Sequence, residues 1–143
     1  MIKISIGCDH AGYLHKKWLI NKLKNDYKLT DRGTDSESSV DYADYIHPVA
    51  EDVENGNSKF GIILCGSGNG AAITANKHQK IRAALCWKKE LSELARKHND
   101  ANIISIPARF VSKKLAFEMI KIFLETDFEG GRHQRRIDKI PVK

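Results

Sequence analysis

Short apolar runs alternate along this chain with segments of helical periodicity, and that alternation restricts the fold more than any other feature. Strand-like runs fall at 2–7, 28–31, 60–65, 82–86 and 101–106. Helical patterns fall between and after them, at 12–25, 42–55, 69–77, 89–98 and 112–125. In the last of these, Leu115, Met119, Ile122 and Phe123 recur at spacings of three and four, one apolar stripe, with Ser112 placed as the N-cap. Leu14, Trp18, Leu19 and Leu23 repeat the pattern in the first helix and read as core. Strand and helix in strict succession imply an α/β fold, a mostly parallel five-stranded sheet with helices on both faces. The chain has 143 residues, enough for a full core, and no linker, repeat or low-complexity stretch interrupts it. Residues 1–143 are therefore expected to form a single domain.

Ligands of such sheets bind beyond the carboxyl ends of the strands. The polar residues follow that rule. Asp9 and His10 come after the first strand, Cys65 ends the third, and Arg109 follows the fifth. His98 and Asn99 close the helix before the fifth strand, and the sequence leaves open which edge of the sheet they reach.

The stretch Ile62-Ile63-Leu64-Cys65-Gly66-Ser67-Gly68-Asn69-Gly70 carries the strongest chemical signal. It reads as strand, tight turn and helix start. Such a turn aims backbone N–H groups at one point, where an anion can sit. A thiol beside those amides is a candidate base or nucleophile. No Lys-Ser or Lys-Thr follows the last glycine, so this is not a Walker loop. The spacing of Gly66, Gly68 and Gly70 also differs from the dinucleotide fingerprint. A strand-end cysteine is equally a small core residue. Asp9 and Asp41 are equally helix N-caps, and His98 equally a cation placed at a helix C-terminus.

Composition narrows the field. Cys8, Cys65 and Cys86 are odd in number and widely spaced, without a Cys-x-x-Cys pair, which suits a reducing, cytoplasmic setting. There is no signal-peptide pattern at Met1–Ile4 and no apolar run of about 18 residues, so no membrane partner is expected. The net charge is +6, concentrated in the last twelve residues, where Arg132, Arg135, Arg136, Lys139 and Lys143 face only Asp138. Aromatics do not interleave with these cations and no recognition module is present, so nucleic acid is not an expected partner either. A few arginines could instead hold one small phosphate bidentately.

Taken together, Cys8-Asp9-His10-Ala11-Gly12, Cys65–Gly70, Ala75-Asn76-Lys77, Arg96–Asn102 and Glu129-Gly130-Gly131-Arg132-His133 resemble the type B ribose 5-phosphate isomerases, a group that includes galactose 6-phosphate isomerase subunits. The resemblance runs from residue 2 to about residue 140. It implies a Rossmann-like sandwich that forms homodimers, often paired into tetramers. It implies interconversion of ribose 5-phosphate and ribulose 5-phosphate with no metal and no organic cofactor, at sites shared between subunits. On this sequence, Cys65 becomes the base that moves a proton between C1 and C2. Ser67 and His98 assist ring opening, and the amides of Gly66, Ser67, Gly68, Asn69 and Gly70 stabilise the enediolate. Asp9, Asp41, Tyr42 and Asn99 hold sugar hydroxyls. His10, Arg109, Arg132 and Arg136 bind the phosphate, with the basic segment 130–143 completing a neighbouring subunit's site. Some relatives lack the cysteine and carry a carboxylate just after the loop; here that position is Ala71. The competing expectations are isomerisation of a six-carbon sugar phosphate, such as allose or galactose 6-phosphate, and a non-catalytic phosphate- or nucleotide-binding module.

Overall fold

A computed structural model describes residues 1–143. Five strands form one sheet: β1 (Lys3–Cys8), β2 (Lys28–Asp31), β3 (Phe60–Cys65), β4 (Ala83–Leu85) and β5 (Ile103–Pro107), in the order β2-β1-β3-β5-β4. Every pairing is parallel. Six helices accompany them: α1 (Tyr13–Leu23), α2 (Tyr42–Glu54), α3 (Asn69–Ala75), α4 (Lys89–Asn99), α5 (Lys113–Glu125) and α6 (Arg132–Ile137). A short 3-10 turn, His10–Gly12, leads into α1.

The order of the strands decides which helix covers which face. Parallel crossovers are right-handed, so connections running one way across the sheet lie on one face and those running back lie on the other. β1 to β2 and β4 to β5 run the same way, which puts α1 and α4 together. β2 to β3 and β3 to β4 run the opposite way, which puts α2 and α3 together. The packing follows. Ile62 and Leu64 of β3 join a core with Leu19, Leu23, Ala95, Met119 and Phe123, from α1, α4 and α5. Ile63 and Cys65 alternate to the other face and pack with Ile46, Val49, Ala50, Ala71 and Ala75 of α2 and α3. β3 is buried along its whole length, as a central parallel strand must be.

The direction in which the connections run across the sheet reverses between β1 and β3. That reversal opens a crevice at their carboxyl ends, where Cys8 lies beside Leu64. Cys65 and Asp9, each one residue further on, border this crevice.

Two expectations about the core need correction. Leu14 is exposed, while Lys16 is buried and pairs with Asp31 at the end of β2. Lys16, Leu19 and Leu23 form the inward stripe of α1 at spacings of three and four, which turns Leu14 outward. A buried lysine is readable only once its carboxylate partner is known to lie across the sheet edge. The basic tail, read from the sequence as a charged segment without assigned structure, contains α6, anchored by buried His133 and Ile137.

Candidate active site

The Gly-rich loop joins β3 to α3, and its glycines serve different physical needs. Gly68 has φ of 75°, left-handed backbone that glycine adopts without a Cβ clash. Gly66 and Gly70 leave room for neighbours. A Cβ at Gly66 would stand 3.2 Å from Arg109 Nη1, and one at Gly70 would meet the Tyr42 ring at 2.6 Å. Arg109 and Tyr42, placed at the site from the sequence, thus close directly over the loop. Ser105, wholly buried in β5, donates its hydroxyl to the carbonyl of Gly68 at 2.8 Å. Two further bonds tie the loop to the chain after β5: Ala108 N–H to Cys65 O at 2.9 Å and Arg109 N–H to Gly66 O at 3.1 Å. The loop is held rigid from below, which is the condition for amides that must not reorganise as charge develops.

Cys65 sits at the end of β3 with 5% of its surface exposed. Cys8 and Cys86 are also buried, and burial pushes their thiols up to about 12 and about 11. Neither thiol lies on the loop, and neither is ionised at neutral pH. Ala71 is fully buried under α2, so no carboxylate occupies the position after the loop. Ser67 Oγ accepts from Asn69 N–H at 3.3 Å, and the hydroxyl proton remains free to donate. An open cleft of about 470 Å³ lies beside the loop, lined by Ser67, Asn69, Leu85, Trp87, Pro107 and Phe110.

Across the crevice, Asp9 Oδ1 accepts the N–H groups of Ala11 and Gly12 at 2.9 and 3.3 Å. The cap occupies only one carboxylate oxygen, so it does not preclude the role toward a hydroxyl expected of Asp9. His10 Nδ1 accepts the N–H of Val40 at 3.1 Å, which leaves the hydrogen on Nε2. Asp41 stands at the N-cap position of α2 without a side-chain cap bond, so its carboxylate is free. Tyr42 follows it as the first residue of that helix.

His98, Asn99, Arg132 and Arg136 lie elsewhere. α4 runs antiparallel to the strands and ends just before β5, at the amino edge of the sheet. Asn99 O accepts from Arg82 Nε, beside the start of β4. Cys65 pairs in register with Pro107, the last residue of β5. Within one chain the height of that strand, about 13 Å, separates the two groups. α6 packs against α4 and carries Arg132 and Arg136 at the same amino edge. There His98 stacks on His133, ring centroids 4.4 Å apart and planes 17° from parallel, with Glu129 Oε1 at 3.5 Å from His98 Nε2. Burial, then the nearby His98 and Arg132, lower the pKa of His133. The ligand-type atoms of His98, Glu129 and His133 all lie within 4.8 Å of one another.

The candidate residues therefore form two half-sites on opposite edges. The carboxyl edge holds Asp9, His10, Asp41, Tyr42, Cys65, Gly66–Gly70 and Arg109. The amino edge holds His98, Asn99, Arg132 and Arg136. The sequence pattern missed Ser105 as the support of the loop, although a serine inside the run Ile103-Ile104-Ser105-Ile106 was its signal.

Residues 4–140 match the ribose/galactose isomerase family along almost the whole chain. The chain belongs to that family. Members similar to it include the ribose-5-phosphate isomerase B of Escherichia coli, 38% identical over 98% of this chain and 95% of the relative. The ribose-5-P isomerase B of Listeria innocua is 41% identical over 96% of this chain and 93% of the relative. Among solved structures, the ribose 5-phosphate isomerase of Thermotoga maritima superposes with a TM-score of 0.96 at 45% identity, covering 98% and 97% of the two chains. Ribose-5-phosphate isomerase B of Mycoplasma genitalium, solved with bound ribulose-5-phosphate, gives 0.92 at 38% identity, covering 97% and 93%. The Rossmann-like α/β fold expected from the sequence is the fold of these family members. No helix is long and apolar enough to cross a membrane.

Proposed function

We propose that this protein interconverts ribose 5-phosphate and ribulose 5-phosphate, with Cys65 as the base. The observation that carries the reading is the placement of the Cys65 thiol at the root of a Gly-rich loop braced by Ser105, Ala108 and Arg109. Removing a proton beside a carbonyl produces an enediolate, whose developing charge needs donors already in place. One such donor is worth about 3–4 kcal/mol. In this reading the thiolate takes the proton from C2 of the open-chain aldose and returns it to C1. Amides of Gly66–Gly70 receive the enediolate oxygen. Ser67 and His98 move protons during ring opening. Asp9, Asp41, Tyr42 and Asn99 hold hydroxyls, and His10, Arg109, Arg132 and Arg136 hold the phosphate.

Neither half-site suffices alone. The reading therefore includes a homodimer in which the amino edge of one copy, with segment 130–143, covers the carboxyl edge of the other. It also includes a cytoplasmic setting, where the free thiol stays reduced. Each copy acts as one catalytic domain.

The test is ketose formation from ribose 5-phosphate by purified, metal-free protein, with Cys65→Ala beside it. Conversion by the wild type and its loss in a folded variant support the assignment. Near-normal turnover by Cys65→Ala removes the thiol from the mechanism. Turnover confined to allose or galactose 6-phosphate moves the substrate to six carbons.

A further inference from the structure

A second cluster of imidazoles lies away from both half-sites, on the outer side of α2. His47, exposed on α2, places Nδ1 2.8 Å from Nε2 of His78, in the turn after α3. The rings are tilted by 54°, with centroids 5.1 Å apart. The other nitrogen of His78, Nδ1, lies 3.2 Å from Oε1 of Glu54, two turns along α2 from His47. Oε2 of Glu54 accepts the N–H of Lys80 at 3.1 Å.

This arrangement has the chemistry of a ligand pair with its supporting carboxylate. Glu54 takes the Nδ1 hydrogen of His78, so the lone pair of Nε2 faces His47. Metal-ligating histidines are oriented by such a carboxylate. We propose that His47 Nδ1 and His78 Nε2 form a binding site for a divalent transition cation of the Ni2+ or Cu2+ type.

The spacing selects the class of ion. With metal–nitrogen bonds of about 2.0–2.1 Å, nitrogens 2.8 Å apart subtend an angle of about 88° at the metal. That angle fits cis positions of a square-planar or octahedral ion, whereas a tetrahedral ion needs about 3.3 Å between the nitrogens. Binding requires both rings to turn, since the lone pair of His78 now points along the line between the nitrogens and the ion would lie about 46° off that line. The hydrogen on His47 Nδ1 moves to its Nε2, so the neutral pair binds without net proton release. Water fills the remaining positions. The bound ion clips the middle of α2 to the turn that follows α3.

Untagged full-length protein titrated with NiCl2 in a calorimeter tests the site, and Cu2+ electron paramagnetic resonance reads its ligands. One Ni2+ per chain with micromolar affinity is expected, together with an axial copper spectrum showing nitrogen coupling. His47→Ala and His78→Ala should each weaken binding at least 30-fold. Glu54→Gln should weaken it about 10-fold, because it removes only the orienting carboxylate. His47 is exposed, so His47→Gln provides a folded control with the same expected loss. Isomerase activity should be unchanged in both His47 variants, which separates this site from the proposed reaction. No detectable Ni2+ binding, or equal affinity in the wild type and the His47→Ala, His78→Ala double variant, overturns the proposal.

Discussion

At the scale of single residues, the Gly-rich loop depends on what its glycines omit. Gly68 is the most constrained of them. A Cβ there would stand 2.4 Å from Leu85 Cδ1 and 3.2 Å from the backbone nitrogen of Pro107. The leucine tip can move, but the backbone of β5 cannot. Left-handed backbone also costs a non-glycine residue about 1–2 kcal/mol. Gly68→Ala is therefore expected to lower stability by about 2 kcal/mol. It should lower kcat/KM by about 100-fold, since misplacement of about 1 Å at a reacting centre has that effect. Thermal melts and steady-state kinetics measure the two separately; an unchanged kcat/KM would show that the loop amides tolerate displacement. The alternating glycines, the thiol and Asp9 were legible in the sequence because each is a local signal. Ser105, Lys16 and the Glu54–His78–His47 chain were not, because each acquires its meaning from a partner that only the folded sheet or its flanking turns bring near.

At the scale of elements, periodicity located the strands and helices to within about two residues, the limit expected where ends fray. β3 starts and stops where its apolar run does, and β2 has the expected bounds although Leu29 is its only apolar residue. α6 escaped because its six residues hold three arginines and only two inward side chains, too short for a periodic stripe. Nor does periodicity disclose what fastens one element to another. Asp52 of α2 is nearly buried, accepts Ser5 Oγ of β1 at 2.7 Å, and receives a bidentate pair of bonds from Arg32, both 2.7 Å. The bond from Arg32 is the largest cause that holds its carboxyl below the ordinary value near 4. A carboxyl lowered in the folded state stabilises the fold fully above its unfolded pKa. That contribution is lost as the pH falls through the lower, folded value. Denaturant unfolding should therefore show stability declining below about pH 4, and Asp52→Asn should flatten that decline. At neutral pH the variant should cost about 2 kcal/mol, less than for a fully buried pair because Arg32 is partly solvated. An unaltered acid limb in Asp52→Asn would mean that other carboxyls set it.

At the scale of the whole molecule, the decisive fact is the separation of the two half-sites by the height of the sheet. An arrangement of two chains related by a two-fold axis gives every pair two equivalent composite sites. Each would take Cys65 from one copy and His98 from the other. Inactivating the two positions in separate chains provides a direct test. Cys65→Ala homodimers lack the base at both sites, and His98→Asn homodimers lack the imidazole at both. A mixed dimer has one site with both defects and one site with neither. After unfolding and refolding an equimolar mixture, about half the dimers should be mixed, each with one intact site, so about one quarter of wild-type activity should return. Refolding each variant alone serves as the baseline. If each site instead drew Cys65 and His98 from the same chain, every chain in the mixture would keep its own defect, and the mixture would stay at the mean of the two baselines.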